Sequence, residues 1–311
     1  MYVEIRGVEY LSVTELARRA EMKAVWVQSG RRVRIAGDGR YIELEVDSRE
    51  ASVDGLRVFL GEPPRMYKRT LYLSKIDAER YVGPMVGEYG RSTPQPVKVV
   101  ALDAGHGGRD TGKVNARMKL FEKTFTLDVV FRLKKLLEAQ GFRVVLTRTE
   151  DKYIELPDRP AIAAKHGADL FVSVHFNSVE ASPQRVTGIE VFTMTPQYQF
   201  STDDYKREGT DQARQLNPGN VHDVWSSVAA FQLQRRLLAD LKTSDRGIKH
   251  QRYAVLRLAE CPAVLVEGGY LSNDAEAKKI ASPAYRQDLA EGIASGIRAY
   301  ASTVAQARRS K

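Results

Sequence analysis

Val97-Lys98-Val99-Val100-Ala101-Leu102-Asp103-Ala104-Gly105-His106-Gly107-Gly108 is an apolar, β-rich run that ends in a glycine-flanked histidine. Two later stretches repeat the plan. Asp169-Leu170-Phe171-Val172-Ser173-Val174-His175-Phe176-Asn177 closes on a second histidine, and Ala263-Val264-Leu265-Val266-Glu267-Gly268-Gly269 closes on a carboxylate. In a parallel α/β sheet all strands point one way and their carboxyl ends form the edge where ligands bind. The expected fold is therefore α/β, a mostly parallel twisted sheet flanked by helices, with ligand-type residues from distant runs converging on one edge.

Imidazole nitrogen and carboxylate oxygen suit zinc, whose catalytic sites keep three protein ligands and one open position. Beyond the two histidines, Glu122 is the best candidate for the remaining ligand. It opens a segment in which Phe125, Val129, Leu133, Leu136 and Leu137 recur at helical spacing, and a first-turn glutamate is within reach of the loop that carries His106.

At these residues the chain resembles the zinc-dependent N-acetylmuramoyl-L-alanine amidases of the Amidase_3 type, which cut peptidoglycan. The likeness spans residues 97–300. It rests on the Gly105-His106-Gly107-Gly108 turn, Glu122-Lys123, and Leu146-Thr147-Arg148-Thr149-Glu150-Asp151 followed by Leu156 and Arg159. It continues through the run ending His175-Phe176-Asn177, Asp245-Arg246-Gly247-Ile248-Lys249, Tyr253-Ala254-Val255-Leu256-Arg257 and Pro262-Ala263-Val264-Leu265-Val266-Glu267-Gly268-Gly269-Tyr270-Leu271-Ser272-Asn273, with Ser282-Pro283-Ala284-Tyr285 behind. The resemblance implies that His106, Glu122 and His175 hold Zn2+ and that Glu267 is the general base acting on the attacking water. The implied reaction is hydrolysis of the amide joining the lactyl group of N-acetylmuramic acid to L-alanine. Three departures from the family pattern, Ala104, Ala164 and Gly268, remove no ligand.

Each residue also has a purely structural reading. A histidine at a strand end often serves as a hydrogen-bonding group, Glu122 suits a helix-dipole carboxylate, and Glu267 suits an ion pair, since a carboxylate closing an apolar strand is costly to bury alone. The ordered motif context favours the chemical roles. Two rival functions stand beside the amidase: a zinc peptidase or amidohydrolase acting on peptides outside the wall, and a non-catalytic wall-binding protein. His166 and His250 lie in polar stretches and are read as exposed and inert. Cys261 is read as a small buried residue, because a thiol nucleophile needs an activating base and an electropositive setting. The glycine-rich turn lacks the Gly-Lys-Ser/Thr ending of a phosphate loop.

The chain has 311 residues, 43% hydrophobic and 28% charged, enough for a full α/β domain and a smaller one. No apolar run approaches the roughly 18–20 residues of a membrane span. A single cysteine forms no internal disulfide and so identifies no compartment. The first residues, Met1-Tyr2-Val3-Glu4-Ile5-Arg6, lack the apolar core of a secretory signal. A wall enzyme is expected in the cell envelope, periplasmic or secreted, with its export signal upstream of this chain; the alternative is a cytoplasmic protein. The net charge of +9 favours anionic polymers such as peptidoglycan as partners. No dense basic stripe with interleaved aromatics supports nucleic acid. Arg31-Arg32-Val33-Arg34 and Arg308-Arg309 read as solvated faces, and a protein activator is left open.

Residues 1–86 have a separate rhythm. A short strand at 8–10 precedes a Ser- or Thr-capped helix from Ser12. Strand-like runs follow at 24–27, 32–35, 41–46 and 57–60, separated by Ser29-Gly30, Gly37-Asp38-Gly39 and Asp54-Gly55 turns. This small β-rich α+β segment resembles the copper amine oxidase-like N-terminal domain, on Tyr10-Leu11-Ser12-Val13, Val25-Trp26 and Val53-Asp54-Gly55. It holds no histidine or cysteine, so it offers no copper site. It reads equally as a binding or positioning module and as a spacer. Residues 87–96 read as a linker, 97–304 as the catalytic domain and 305–311 as a basic tail. Within the catalytic domain, residues 196–226 form a polar stretch before a helix expected at 228–241. Loops of that length are often functional; it reads as a groove wall offering Asn220, His222 or Trp225, or as a plain surface loop.

Overall fold

The computed structural model describes residues 2–91, 93–204 and 212–310. The amino-terminal module starts with β1 (Tyr2–Ile5), β2 (Val8–Ser12) and α1 (Val13–Arg19). The Ser12 hydroxyl accepts from the Glu15 N–H at 3.2 Å and caps α1. An antiparallel meander follows: β3 (Lys23–Gln28), β4 (Arg32–Gly37), β5 (Arg40–Glu45), β6 (Glu50–Val53) and β7 (Leu56–Phe59). Then β8 (Arg65–Tyr67) and β9 (Thr70–Ser74) return to complete a four-stranded sheet in the order β1-β2-β9-β8. A π-helical segment, Asp77–Val82, and the short α2 (Gly83–Met85) end the module.

The second unit runs β10 (Val99–Ala104), β11 (Val114–Asn115), β12 (Leu120–Phe121), α3 (Glu122–Ala139), β13 (Arg143–Leu146), α4 (Asp158–Lys165) and β14 (Leu170–Asn177). It continues with β15 (Ile189–Met194), α5 (Asp223–Leu241), β16 (Asp245–Gln251), α6 (Ala254–Arg257), β17 (Ala263–Tyr270), α7 (Asp274–Ala281) and α8 (Pro283–Arg309). The strands lie in the order β13-β10-β14-β17-β15-β16. All pairs are parallel except β15 with β17, as the mostly parallel reading requires.

Side chains alternate across a strand with period two, and both faces of this sheet are covered. Val100, Leu102, Val172, Val174, Val264 and Val266 face the core under α3, α5 and α8. Ala101, Phe171, Ala263 and Leu265 face a smaller core with Ala163 of α4 and Val255 and Leu256 of α6. The odd-numbered positions that continue this second row are Asp103, Ser173, His175 and Glu267. Strand alternation therefore sends every chemical residue of β10, β14 and β17 to the same face.

The two units share one sheet. Ile248 of β16 pairs in parallel with Val58 of β7, giving eleven strands in the order β13-β10-β14-β17-β15-β16-β7-β6-β5-β4-β3. The Tyr81 hydroxyl donates to the Ile248 carbonyl at 2.9 Å, and the Arg57 N–H donates to Asp245 at 2.8 Å. Among its described residues the stretch between the units carries no strand or helix, and its Tyr89 stacks on Trp225 with ring centroids 4.8 Å apart. Helix α5 begins at Asp223, earlier than expected, because the segment before it is built from short turns at Thr202–Asp204 and Pro218–His222. Residues 205–211 of the expected polar loop lie outside the described residues. Helix α8 continues to Arg309, so residues 305–309, expected as a tail, are helical. No helix among the described residues is long and apolar enough to cross a membrane.

Candidate metal centre

His106 stands just past β10, Glu122 in the first turn of α3 and His175 near the end of β14. One ligand atom from each lies within 4.8 Å of the others. Glu122 Oε1 is 3.0 Å from His106 Nε2 and 3.1 Å from His175 Nδ1. It also accepts the Phe176 N–H at 3.0 Å, while Oε2 accepts the Lys113 N–H at 2.7 Å. Two backbone amides thus hold the carboxylate against the histidines.

The loop needs its glycines. His106 itself has φ 61°, a region uncommon for non-glycine residues, and is held there from both sides. Gly105 passes so close to His175 that a Cβ would fall 2.3 Å from the imidazole. At Gly112, with φ +62°, a Cβ would meet His106 at 2.5 Å and Glu122 at 2.6 Å.

A polar frame beneath fixes the same loop. Asp103, fully buried, accepts from Thr147 and Ser173 at 2.7 Å each and pairs with Arg159 at 2.8 Å. Arg159 donates onward to the Ala104 and His106 carbonyls, both at 2.9 Å. Arg148 donates to the carbonyls of Ala104, Gly105 and Lys123, tying the loop to the start of α3. Burial raises the Asp103 carboxyl, but Arg159 and the two hydroxyls outweigh it and hold the group below the usual carboxylate range. The sequence showed Asp103, Arg148 and Arg159 only as motif members.

Electrostatics follow the packing. Burial pushes Glu122 up, yet hydrogen bonds to His106 and His175 outweigh it and hold the group far below its ordinary value. Burial pulls His106 down, while Glu122 and Asp110 overcome this and leave it raised. Asp110 Oδ2 sits 2.9 Å from His106 Nδ1, which favours a proton on Nδ1 and turns Nε2, 3.0 Å from Glu122 Oε1, toward the centre. Asp110 was missed in the sequence. Its only signal was a carboxylate four residues after the histidine.

Glu267 lies opposite His175 across the β14–β17 pair. Burial drives its carboxyl well above its ordinary value, Glu122 and Glu190 add to the rise, and Lys249 opposes it. Its Oε2 is buried with no hydrogen-bond partner among the described residues. Both histidines, Glu122 and Glu267 line one cavity of about 360 Å³, together with Lys113, Leu156, Asn177, Tyr253 and Val255. Two imidazoles and a carboxylate form a donor set that suits zinc. A buried carboxylate oxygen without a partner, in the same cavity, fits a group meant for water or substrate rather than for an ion pair.

Other expectations need correction. Asn220, His222 and Trp225 do not line this cavity. Asn220 and Trp225 are buried as structural groups: Asn220 bonds to Thr195 and Asp223, and Trp225 packs between Tyr89 and Tyr300. His222 and Trp225 flank a different depression with Asp169 and Pro262, at the amino ends of β14 and β17, away from the ligand edge. His250 is buried, not exposed. It packs on Tyr81 at 4.0 Å and hydrogen-bonds Thr193 at 3.0 Å, and burial pulls it down to about 3. Cys261 is buried, its thiol pushed up to about 12 by burial, the opposite of an activated nucleophile. At Gly268, Leu289 of α8 takes the space of a side chain: a Cβ there would lie 2.5 Å from Leu289.

Residues 2–86 match the copper amine oxidase N-terminal domain, and residues 100–299 match the family described as N-acetylmuramoyl-L-alanine amidase. The chain is 34% identical over 203 residues to YqiI of Bacillus subtilis (strain 168), covering 65% of this chain and 84% of that protein. It is 32% identical to the N-acetylmuramoyl-L-alanine amidase AmiC of Escherichia coli O6:H1, covering 73% of this chain but only 59% of AmiC. The crystal structure of an N-acetylmuramoyl-L-alanine amidase from Clostridium difficile 630 is similar with a TM-score of 0.55 and 32% identity, over 66% of this chain and 97% of that one. With the family model covering most of the chain and AmiC 32% identical over 73% of it, the chain belongs to the N-acetylmuramoyl-L-alanine amidase family.

Proposed function

We propose that the protein hydrolyses the amide between N-acetylmuramic acid and L-alanine in bacterial peptidoglycan, with zinc held by His106, Glu122 and His175 and Glu267 as the general base, and that it works in the cell envelope. The observation that carries this reading is the convergence of the three donor atoms within 4.8 Å, in one cavity with the unpartnered Glu267 oxygen. When bound, zinc supplies Lewis-acid polarisation of the scissile carbonyl and activation of water.

The chain's own residues supply the rest. Asp110 keeps the proton on His106 Nδ1 so that Nε2 faces the cavity. Glu267 accepts a proton from the attacking water at its free Oε2 and returns it to the nitrogen of the departing alanine. Burial raises the Glu267 carboxyl above its ordinary value, which makes its carboxylate a stronger proton acceptor than an exposed one. Leu156, Tyr253 and Val255 give the cavity apolar walls, and the Lys113 ammonium offers a counter-charge to an anionic wall peptide. The relatives named N-acetylmuramoyl-L-alanine amidase support the substrate, and others named probable cell wall amidase support the envelope location.

The test is incubation of the zinc-loaded protein and of Glu267→Ala with intact sacculi, soluble muropeptides and unrelated peptides, with products identified by mass spectrometry. Free stem peptides with an L-alanine amino terminus, absent with Glu267→Ala although that variant retains zinc, are expected. Release only from unrelated peptides would replace the reading with the non-wall peptidase. No release from any substrate would leave a wall-binding protein.

A further inference from the structure

The row of side chains that leaves the metal centre does not stop at Glu267. His175 lies opposite Glu267, and Glu267 lies opposite Glu190 of β15. Directly opposed residues of an antiparallel pair have Cβ atoms roughly 4.5–5.5 Å apart, and like charges so placed destabilise the pair. Both carboxylates are buried, Glu190 completely. An ionised carboxylate away from water is costly unless paired and hydrogen-bonded.

Glu190 has what it needs. Its Oε1 accepts from the Tyr270 hydroxyl at 2.8 Å and from the Asn177 side-chain amide, and its Oε2 pairs with the Lys249 ammonium. Asn177 and Glu267 both line the catalytic cavity, so one carboxylate ties a wall of that cavity to β16. Lys249 is itself nearly enclosed, its side chain 13% exposed. Its ammonium lies 5.6 Å from the ring centres of Phe192 and Phe59. Phe59 belongs to β7 of the amino-terminal module, next to the Val58 that pairs with Ile248. An ammonium between two aromatic faces is held by their quadrupoles, more strongly when desolvated.

We propose that Glu190 and Lys249 are positioning residues for Glu267 and Asn177, and that the amino-terminal module acts on the reaction through Phe59, which closes the slot around the Lys249 ammonium. Lys249 sets a positive charge against Glu190, which lies opposite Glu267, and Glu190 in turn orients the Asn177 amide. Phe59 keeps water from the ammonium, so the pair stays short and fixed. The module is then part of the catalytic apparatus, although it supplies no group that touches substrate. The inference rests on the amidase reading for its effect on rate, while the tie itself is independent of that reading.

Two measurements test it on the full chain. In steady-state hydrolysis of a soluble muropeptide by the zinc-loaded protein, Lys249→Met and Glu190→Gln lower kcat by about 10–100-fold, the scale of an ångström-level misplacement. KM and zinc content stay unchanged. Phe59→Ala lowers kcat about 3–10-fold, as loss of one cation–π partner allows, and has no further effect in the Lys249→Met background. Lys249→Arg retains most of the rate. The second measurement uses metal-free protein: the Asn177 side-chain amide signals, assigned through Asn177→Asp, shift in Glu190→Gln, Lys249→Met and Phe59→Ala, but not in Val25→Ala at the far edge of the module. Phe59→Leu, which keeps apolar bulk without the ring, replaces Phe59→Ala should the latter fail to fold. Additive effects of Phe59 and Lys249, or an Asn177 amide unmoved by the Phe59 variants, would overturn the proposal. A wild-type protein that releases no stem peptide would sink the amidase reading alone, and the amide signals would still decide the tie.

Discussion

Asp110 shows how much of this centre depends on a residue outside the candidate ligand set, one that bonds His106 with one oxygen and the Gly112 N–H with the other. Its carboxylate, 2.9 Å from His106 Nδ1, favours the proton on Nδ1 and so presents Nε2 to the centre beside Glu122, and outer-sphere partners of this kind are commonly worth 10–100-fold in metal affinity. Asp110→Ala is expected to weaken zinc binding by about that factor with the fold intact, as read by competition with a chromophoric chelator. Gly112→Ala is expected to do more, because its Cβ would intrude on His106 and Glu122 together at a φ that L-residues rarely adopt. Loss of stoichiometric zinc by elemental analysis, with an unchanged far-ultraviolet circular dichroism spectrum, would be the signature. At this scale the sequence was legible where residue type alone is diagnostic. Two histidines and two glutamates at strand and helix ends could be found from their positions. Asp110, Glu190 and the frame of Asp103, Arg148 and Arg159 could not, because their roles are set by which backbone carbonyl or cross-strand neighbour they meet.

Elements were legible to the extent that their apolar spacing is local. The strands β10, β14 and β17 announce themselves as apolar runs, and α3 by the recurrence of Phe125, Val129, Leu133 and Leu137, all buried. The short strands β6 and β8 carry too few residues for a periodic signal, and α5 starts early because Asn217 and Asn220 cap the turn that leads into it. The packing of α5 against α8 was invisible in either helix alone, yet it makes a sharp prediction. A Cβ at Gly296 would lie 2.8 Å from the Leu233 backbone, whereas one at Gly292 would meet only the end of the Leu237 side chain at 3.0 Å. Alanine gains up to about 1 kcal/mol over glycine in a helix, and overpacking costs about 1–3 kcal/mol when the neighbour cannot move. Gly296→Ala is therefore expected to lower the urea midpoint, and Gly292→Ala to leave it unchanged or raise it slightly. Equal shifts in both would show that the two helices slide apart freely.

Across the whole molecule, the amino-terminal unit and the larger α/β unit are joined through one sheet, and the seam between them carries two buried groups whose titrations oppose one another. Both touch the π-helical segment of the amino-terminal module: His250 packs on Tyr81, and Asp223 pairs with Arg80 at 3.4 Å. Burial lowers His250 to about 3, so the native state keeps it neutral while the unfolded chain protonates it near its usual value of roughly 6.5. Its contribution to stability is present above that value and is lost as pH falls toward 3. Asp223 behaves in the reverse sense. Burial raises it to about 7, against the weaker pull of Asn220 and Arg80, so its contribution is full below the ordinary carboxyl pKa and is lost as pH rises through 7. Between about pH 6.5 and 4 the two slopes have opposite signs, each approaching about 1.4 kcal/mol per pH unit for one proton, and they offset one another in the wild-type chain. Urea midpoints measured at pH 7.5, 6 and 5 should then separate the variants. His250→Gln leaves Asp223 alone and gains stability as the solution is acidified; Asp223→Asn leaves His250 alone and loses it; the double variant returns to the shallower wild-type profile. Parallel profiles for the two single variants would mean that these groups are not what sets the acid response of the seam.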